Sequence, residues 1–362
     1  MTPVELSRTV LRAVRCAVDD GELHVAVPGR TSVTPPGPGG CGDYATNVAL
    51  QLARPAGQPP LRVAEILRER LVRTDGISDV VVTGPGFLNI SLSGTETALV
   101  REILLSGPRY GHADRPTGRL AQLHAPHEVR AVVVMDAVAR ILRSQGALVR
   151  TSCAGRPEPE WADILGVDVD AYGTPDAPAP LDVNVRPVPA TPDYPTPLGR
   201  DAARWALLHP ALHDRPRITA DHLVQRESNP LFRVRYAHAR TRALTRNAAD
   251  LGFHAEPGDL DLQGTNAAVQ ETAVQDTTAL RHTLADHPRI LQAAAAHHAP
   301  DRLARHLVTV ADAVLPFLPS VLPRGEQKPS AAHRARLALA EAAGAVLAGG
   351  LSLLGIDAPE HL

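Results

Sequence analysis

The 362-residue chain is poor in lysine and cysteine, and each shortage counts against a class of function. Lys328 is its only lysine among 37 basic residues, so a Gly-Lys-Ser/Thr phosphate loop and any mechanism that needs two lysines are excluded. Three cysteines lie far apart without a Cys-x-x-Cys pair, so the sequence supports neither a disulfide framework nor a cysteine-rich zinc site. No run approaches ~18 uninterrupted apolar residues, and the first residues lack the apolar block of a secretory signal. We therefore expect a cytoplasmic protein without a membrane partner.

The rest of the composition is that of an ordinary globular chain. Hydrophobic residues make up 44% and charged residues 21%, enough for two or three domains with real cores. The net charge is −2, so the whole chain is not a polycation. Binding of a nucleic acid would therefore need a local basic patch.

Periodicity and turn residues predict a compact α/β unit over residues 1–110. The helices are indicated by the spacing of apolar residues and by prolines at helix starts, and the hairpin is indicated by a Gly-Pro-Gly turn. The predicted elements are, in chain order, a helix over 2–20, a strand over 23–27, a helix capped by Thr46 and running to about Arg54, a helix from Pro59-Pro60 through Leu71, and two strands in VVVTGPGFLNISL (80–92).

Beyond residue 110 the pattern changes from strand-like to helical. Residues 119–153 predict one β–α–β pass, the minimum parallel-sheet unit. From 154 to 198 the chain is rich in proline and has room for one strand around Asp182–Arg186. Helix signals dominate from Asp201 onward. The predicted helices are 200–209, 219–226, 230–251, 268–285, 287–297, 300–315 and 331–354, the last with a narrow face of small residues.

Three sequence motifs, in this order, carry a family resemblance. The first is Gly42-Asp43-Tyr44-Ala45-Thr46-Asn47, followed by ALQLAR and by VTGPGFLNISL at 82–92. The second is NPLFRVRYAHAR at 229–240, and the third is LALAEAAGAVLAGGLSLLGIDAPEHL at 337–362. Together they resemble the N-terminal additional domain, the anticodon-binding helical domain and the closing helix of arginyl-tRNA synthetases.

The resemblance implies three domains and a shortened centre. It predicts an α/β N-terminal domain (1–110), a reduced, Rossmann-like remnant of the class I catalytic domain (111–199) and an all-α anticodon-binding bundle of the DALR type (200–362). Only about 90 residues lie between the N-terminal unit and Leu198, whereas a family member has well over twice that number. We therefore expect only the first β–α–β pass and the last strand and helix of the catalytic domain.

The family's adenylate-forming loop has its counterpart in PTGRLAQLHAPHEVRAVVVMDAVARIL (116–142). Alignment on Asp136-Ala137 places Arg130 on the family arginine and Glu128 on the second histidine. Alignment on the histidines instead matches His124-Ala-Pro-His127 to the family's His-x-Gly-His. Both registers lose the glycine against which adenine lies, and in the second a proline replaces it. The resemblance makes His124, His127 and Arg130 remnants of a catalytic site. The alternative for His124 and His127 is that they are ordinary loop histidines, and no third ligand supports a metal site.

The second catalytic loop of the family usually carries a lysine. Its counterpart here, Val185–Pro197, has none, and Lys328 lies in a different predicted domain. Arg186 matches the charge but is not an interchangeable donor. We therefore expect no formation of arginyl-adenylate by this chain alone.

The remaining signal is a basic segment, Arg226–Arg246, with six arginines against the single acid Glu227 and thus a charge of about +5. On a helix, Arg235, Arg242 and Arg246 form one stripe, and Arg233 and Arg240 form a neighbouring one. Guanidinium groups suit phosphates, whereas a solvated helix face is the alternative. The candidate tRNA-binding residues are Arg233, Arg235, Tyr236, His238, Arg240, Arg242, Arg246 and, in the N-terminal unit, Asn89.

Some of these candidates have a structural alternative. Tyr236 and His238 are either core residues or stacking platforms for bases. Asn89 either contacts RNA, as the family resemblance implies, or forms a hydrogen bond at the end of its strand. The leading hypothesis is a tRNA-binding paralogue of arginyl-tRNA synthetase, with arginine tRNA as one candidate, that has no cofactor and does not aminoacylate.

Two alternatives remain open. The first is a non-standard arginyl-tRNA ligase or aminoacyl-transfer enzyme with a minimal active site, which would use ATP. The second is a scaffold that reuses the fold for a protein partner. A partner enzyme that supplies the chemistry is compatible with the leading hypothesis.

Overall fold

The computed structural model describes residues 3–34, 36–37, 41–92, 95–173, 183–190, 194–260 and 267–362, with the backbone alone at 95–96 and 267–276. The chain forms two compact units, Met1–Leu99 and Val100–Leu362. Helix α4 (Thr95–Ser106) contains the boundary between them. The predicted domain limits near 110 and 200 remain predictions.

The first unit packs three helices on a three-stranded antiparallel sheet. The helices are α1 (Pro3–Asp19), α2 (Val48–Ala56) and α3 (Pro60–Val72), and the strands are β1 (Tyr44–Thr46), β2 (Ile77–Thr83) and β3 (Phe87–Leu92). The strand order is β1-β3-β2. Gly84 and Gly86 adopt φ of +52° and +135° in the β2–β3 turn, where a side chain would be strained. The predicted helices and the hairpin of this unit are confirmed.

The strand predicted over 23–27 is wrong, because these residues pair with no strand in the part of the chain that the structure describes. Leu23 is fully buried in the core of the first unit, and Val25 and Val27 pack partly against it. Thr34 instead pairs with Ala45 of β1. The apolar alternation of this segment therefore reflects packing on the core without a hydrogen-bonded ladder.

The second unit begins with a parallel sheet. Its elements are β4 (Leu120–Ala125), α5 (Val129–Ser144), β5 (Leu148–Cys153), α6 (Pro159–Asp163), β6 (Ala171–Tyr172) and β7 (Val183–Asn184). All pairings are parallel and the order is β6-β5-β4-β7, so the predicted β–α–β pass is confirmed. The chain adds β5 and β6 on one side of β4 and then returns to add β7 on the other. Such a reversal opens a crevice at the carboxyl ends of the strands.

The strand predicted over Asp182–Arg186 corresponds to the two residues of β7, and Asp182 lies outside the described residues. Helix α6 and strand β6 were not predicted. Both are short, and the flanking prolines obscure any periodicity.

Helices form the rest of the second unit. They are α7 (Gly199–Leu208), α8 (Pro230–Asp250), α9 (Ala267–His297), α10 (Pro300–Val314) and α11 (Ala331–Leu353). The helix predicted over 219–226 is only a single 3-10 turn at Ala220–Leu223. The helices predicted over 268–285 and 287–297 are one helix that contains Pro288. Since Leu284 and Leu291 on both sides of this proline are fully buried, we attribute the continuity to packing that offsets the missing hydrogen bond.

Helix α11 is long and apolar enough to cross a membrane by length and composition, but 72% of that stretch is buried inside the protein. Its face of small residues allows close approach of neighbouring helices. A Cβ at Gly344 would overlap the side chain of Thr241 on α8, and one at Gly350 would overlap Leu307 on α10. We therefore assign α11 as a core helix of the second unit.

Candidate nucleic-acid interface

The carboxyl edge of the parallel sheet carries the two histidines of the sequence motif, and each has a partner. His124, at the end of β4, lies 2.9 Å by its Nδ1 from Ser152 Oγ on β5. Burial, followed by the nearby charge of Arg186, lowers its pKa. His127 Nε2 lies 2.8 Å from the carbonyl oxygen of Arg156, and its ring packs against Trp161 with centroids 4.9 Å apart. The two histidines are thus held by different neighbours.

The first turn of α5 is closed by an acid from the same motif. Glu128 is the N-cap, and its Oε2 accepts the N–H of Ala131 at 2.8 Å. Its Oε1 accepts the N–H of Ala190, in the segment after β7, at 3.1 Å. A carboxylate therefore occupies the position at a helix N-terminus that attracts anions.

Arg130 is fully buried, and its five N–H groups all bind backbone carbonyl oxygens. Nε donates to Leu207 at 3.0 Å, Nη1 donates to Val188 and Asp214 at 2.7 Å each, and Nη2 donates to Pro210 and Ala211 at 3.2 and 2.9 Å. The guanidinium thus ties α5 to the end of α7 and to the segments around it.

Helix α8 is anchored at its first residue by Asn229. The amide oxygen of this buried N-cap accepts the N–H of Leu231 at 3.1 Å, and its nitrogen donates to the carbonyls of His222 and Val224 at 2.9 Å each. The cap satisfies the helix end and holds the preceding loop in place. One side of α8 is then buried in the helical core through Leu231, Val234, Ala237, His238, Thr241, Leu244 and Ala248.

Arginines occupy the other side of α8. Arg233 lies 3.3 Å from Asp312 of α10, and Arg235 lies 3.3 Å from Asp201 of α7. Arg240 is exposed, and its guanidinium carbon lies 5.8 Å from the ring centroid of Tyr236. Tyr236 stacks on Phe232 with centroids 5.5 Å apart, so these two rings and Arg240 are grouped on the surface of α8.

The last two arginines of the stripe bind a segment far along the chain. Residues Asp357–Leu362, which we call the closing segment, follow α11 and return along α8. Arg242 donates from Nε and Nη2 to Oε1 of Glu360 at 3.2 and 3.0 Å. Arg246 Nη1 lies 3.9 Å from the other carboxylate oxygen, and its Nη2 donates to the Glu360 carbonyl at 3.2 Å. Glu360 of the same chain therefore forms ion pairs with these two arginines of the stripe.

His238 points into the structure. It is only 5% exposed, its Nδ1 lies 2.9 Å from the carbonyl oxygen of Pro359, and burial lowers its pKa. Asn89, in the first unit, is only 2% exposed and donates to Thr83 Oγ1 at 2.6 Å. Both side chains thus have structural partners, and their predicted contacts with RNA remain predictions.

A cleft of about 290 Å³ opens beside the N-terminal half of α8. Arg235 and Asp201 lie in its wall, and Phe232 supplies an aromatic face. Leu362 of the closing segment also lines it. The arginine face of α8, the cleft and the closing segment are therefore parts of one surface.

Comparisons with known proteins match both ends of the chain. The model described as "Arginyl tRNA synthetase N terminal domain" matches residues 11–92, and "DALR anticodon binding domain" matches residues 234–362. An arginine–tRNA ligase of Frankia alni is 26% identical over an alignment of 561 positions that covers all of both chains. The arginyl-tRNA synthetase structure from Thermus thermophilus has a TM-score of 0.65 at 15% identity, again over both whole chains. The chain is arginyl-tRNA synthetase-like.

The alignment to the Frankia ligase has 561 positions, against 362 residues in this arginyl-tRNA synthetase-like chain. A ligase of Renibacterium salmoninarum is 42% identical over 164 residues, which are 41% of this chain and 30% of that one. This second match thus spans less than a third of the relative's length. The structural match, at 15% identity, supports the fold alone. The predicted resemblance at both ends of the chain is confirmed.

The sequence did not indicate three acids that form ion pairs with arginines in this arginyl-tRNA synthetase-like chain. Asp201 and Glu360 pair with the three arginines of the stripe, and Asp136 forms a buried ion pair with Arg204 at 2.5 Å. Arg204 is fully buried and also donates to the carbonyls of Leu165 and Leu354, which follow α6 and α11. The only signal for Glu360 was that it is one of two acids in the closing segment, which is too weak to assign a partner.

Proposed function

We propose that this chain is a tRNA-binding paralogue of arginyl-tRNA synthetase that does not aminoacylate tRNA by itself. The observation that carries the proposal is the arginine face of α8 inside the DALR anticodon-binding match. Arginine tRNA is one candidate ligand, because the Frankia relative, whose alignment covers the whole chain, is named arginine–tRNA ligase. A partner enzyme would supply the charging reaction.

The arginine face suits a phosphate backbone in charge and in exposure. The side chains of Arg242 and Arg246 are 43% and 40% exposed, and that of Arg235, in the wall of the cleft, is 26% exposed. Their ion pairs are those of a surface, which contribute little free energy and can be exchanged for other anions. Guanidinium groups bind phosphate oxygens by paired hydrogen bonds, and such contacts dominate the affinity for nucleic acids.

The residues at the carboxyl edge of the parallel sheet argue against formation of an aminoacyl-adenylate by this chain. Formation of an aminoacyl-adenylate requires the enzyme to stabilise negative charge on transferring phosphates. Here Glu128 places a carboxylate on the first turn of α5, where it repels an anion instead. Lys328, the only lysine in the sequence, is exposed in the loop before α11 and lies outside the segment between β7 and α7. ATP is therefore not proposed as a cofactor.

The proposal is tested by two assays on the purified full chain. Binding of a fluorescent arginine tRNA transcript is measured across a salt series for the wild type and for the Arg235→Gln/Arg242→Gln/Arg246→Gln variant. We expect the salt slope to fall by roughly one for each phosphate that the variant no longer binds, with glutamine preserving the helix. The matched control, Arg289→Gln/Arg302→Gln/Arg305→Gln, makes the same charge change on α9 and α10. Equal affinity and slope in wild type and stripe variant would refute RNA binding by this face.

The second assay is arginine-dependent exchange of pyrophosphate into ATP. We expect none, with and without arginine tRNA in the mixture. Exchange at a rate typical of synthetases would overturn the non-catalytic part of the proposal and would favour the minimal-ligase alternative. The two assays are independent, so RNA binding can stand if the second expectation fails.

A further inference from the structure

The closing segment reaches both ends of the arginine stripe of α8, directly at Arg242 and Arg246 and through Asp201 at Arg235. The N–H of Asp357 donates to Oδ1 of Asp201 at 3.1 Å, and the other oxygen of this carboxylate pairs with Arg235. Three residues further on, Glu360 reaches both Arg242 and Arg246. The segment therefore contacts the last two arginines of the stripe directly and the first one through Asp201.

The contacts at the far end of the stripe are those of an anion site. Arg242 directs Nε and Nη2 at one oxygen of Glu360, and Arg246 lies near the other oxygen. A carboxylate and a phosphodiester both present a negatively charged oxygen to a guanidinium fork. The chain thus fills this site with its own anion.

We propose that the closing segment is an internal competitor for RNA: Glu360 occupies the place on Arg242 and Arg246 that an RNA phosphate takes, and the segment leaves α8 when RNA binds. The proposal rests on the proposed RNA binding by α8, whose partner it specifies as a phosphate backbone. It assigns Glu360 a role opposite to that of an RNA-binding residue, because its removal strengthens binding.

The geometry gives a contact weak enough to be displaced. The side chain of Glu360 is 56% exposed and those of its two arginines about 40%, so water and salt screen the pairs. An RNA backbone offers several phosphates to the same stripe, whereas the closing segment offers one carboxylate to Arg242 and Arg246. Exchange of one anion for several favours RNA at low salt.

The direct test is Glu360→Gln in the full chain, with the same labelled arginine tRNA transcript. Glutamine keeps the size and loses the charge, so we expect about two- to fivefold tighter binding at low salt, the range for loss of an exposed ion pair. The difference shrinks as salt rises, because salt already loosens the segment in the wild type. Glu256→Gln is the matched control, since Glu256 is 68% exposed and pairs with Arg334 at 3.7 Å outside α8. Equal gains in both variants would reduce the effect to net charge and overturn the proposal.

Two further measurements separate competition from a structural role. In the Arg242→Gln/Arg246→Gln background, Glu360→Gln is expected to leave affinity unchanged, because the site of competition is gone. Hydrogen exchange of the closing segment is expected to accelerate when tRNA is added, starting with the Asp357 amide. Slower exchange on adding tRNA, or weaker binding by Glu360→Gln, would show that the segment belongs to the RNA-bound surface and would refute competition. If the arginine variants bind as well as the wild type, the proposed function itself fails.

Discussion

The guanidinium of Arg130 donates hydrogen bonds to five backbone carbonyls that are distant from it in sequence. Replacement of Arg130 by lysine therefore tests how much these bonds contribute to the stability of the second unit. The donated bonds run from 2.7 to 3.2 Å and reach Leu207, Val188, Asp214, Pro210 and Ala211. Every N–H of the group is used. An ammonium has three N–H groups, so at least two of these carbonyls lose their partner.

The cost follows from the number of carbonyls left unpaired. A buried polar group without a partner costs about 1–3 kcal/mol, so the loss of two partners in Arg130→Lys is expected to lower the free energy of unfolding by about 2–6 kcal/mol. Arg130→Met leaves all five carbonyls unpaired and is expected to cost more, in the range of the most disruptive single substitutions. For a unit of this size, the lysine variant is then expected to melt roughly 5–20 °C lower.

Urea and thermal unfolding followed by circular dichroism measure the difference. The control is Arg143→Lys on the same helix, where an exposed arginine makes one bond to the carbonyl of Val149 at 3.1 Å. We expect the control to change stability by less than about 0.5 kcal/mol. A lysine variant as stable as the control would refute the view that Arg130 is structural, and would reopen its assignment as a remnant of the catalytic loop.

Two further predictions concern the helical core. Burial lowers the pKa of His306 from 6.5 to about 4, so the unfolded chain takes up a proton at a higher pH than the folded chain does. The free energy of unfolding therefore has its full contribution from neutral His306 above pH 6.5 and loses it as the pH falls towards 4. The loss is about 2 kcal/mol by pH 5. His306→Leu should flatten this dependence in urea titrations near pH 7 and pH 5, and an unchanged slope would contradict it. A Cβ at Gly349 would overlap the backbone carbonyl of Pro108, so Gly349→Ala should destabilise the protein by more than about 1 kcal/mol although alanine favours helices. A thermal melt at or above that of the wild type would show that the helix can shift.

Much of the fold follows from local patterns. The apolar stripes of α8 and α10, the proline at the start of α3 and the Gly-Pro-Gly turn between β2 and β3 are set by spacing and backbone preferences within a few residues. These local patterns give wrong predictions where tertiary packing determines the local structure. Residues 23–27 alternate like a strand but only cover the core, and Pro288 lies inside a continuous helix whose two halves are both buried.

In the candidate site, too, some features follow from local spacing and others only from the tertiary structure. Helical spacing alone places Arg235, Arg242 and Arg246 on one stripe, because a helix repeats every 3.6 residues whatever surrounds it. The neutralising acids have no such signal, since Glu360 lies 118 residues from Arg242 and Asp201 comes from another helix. Only the tertiary structure brings them together, when the chain leaving α11 returns along α8. The sequence by itself thus determined where the positive charge lies, and the fold decided which anion meets it, because an ion pair needs proximity in space and covalent spacing reaches only a few turns.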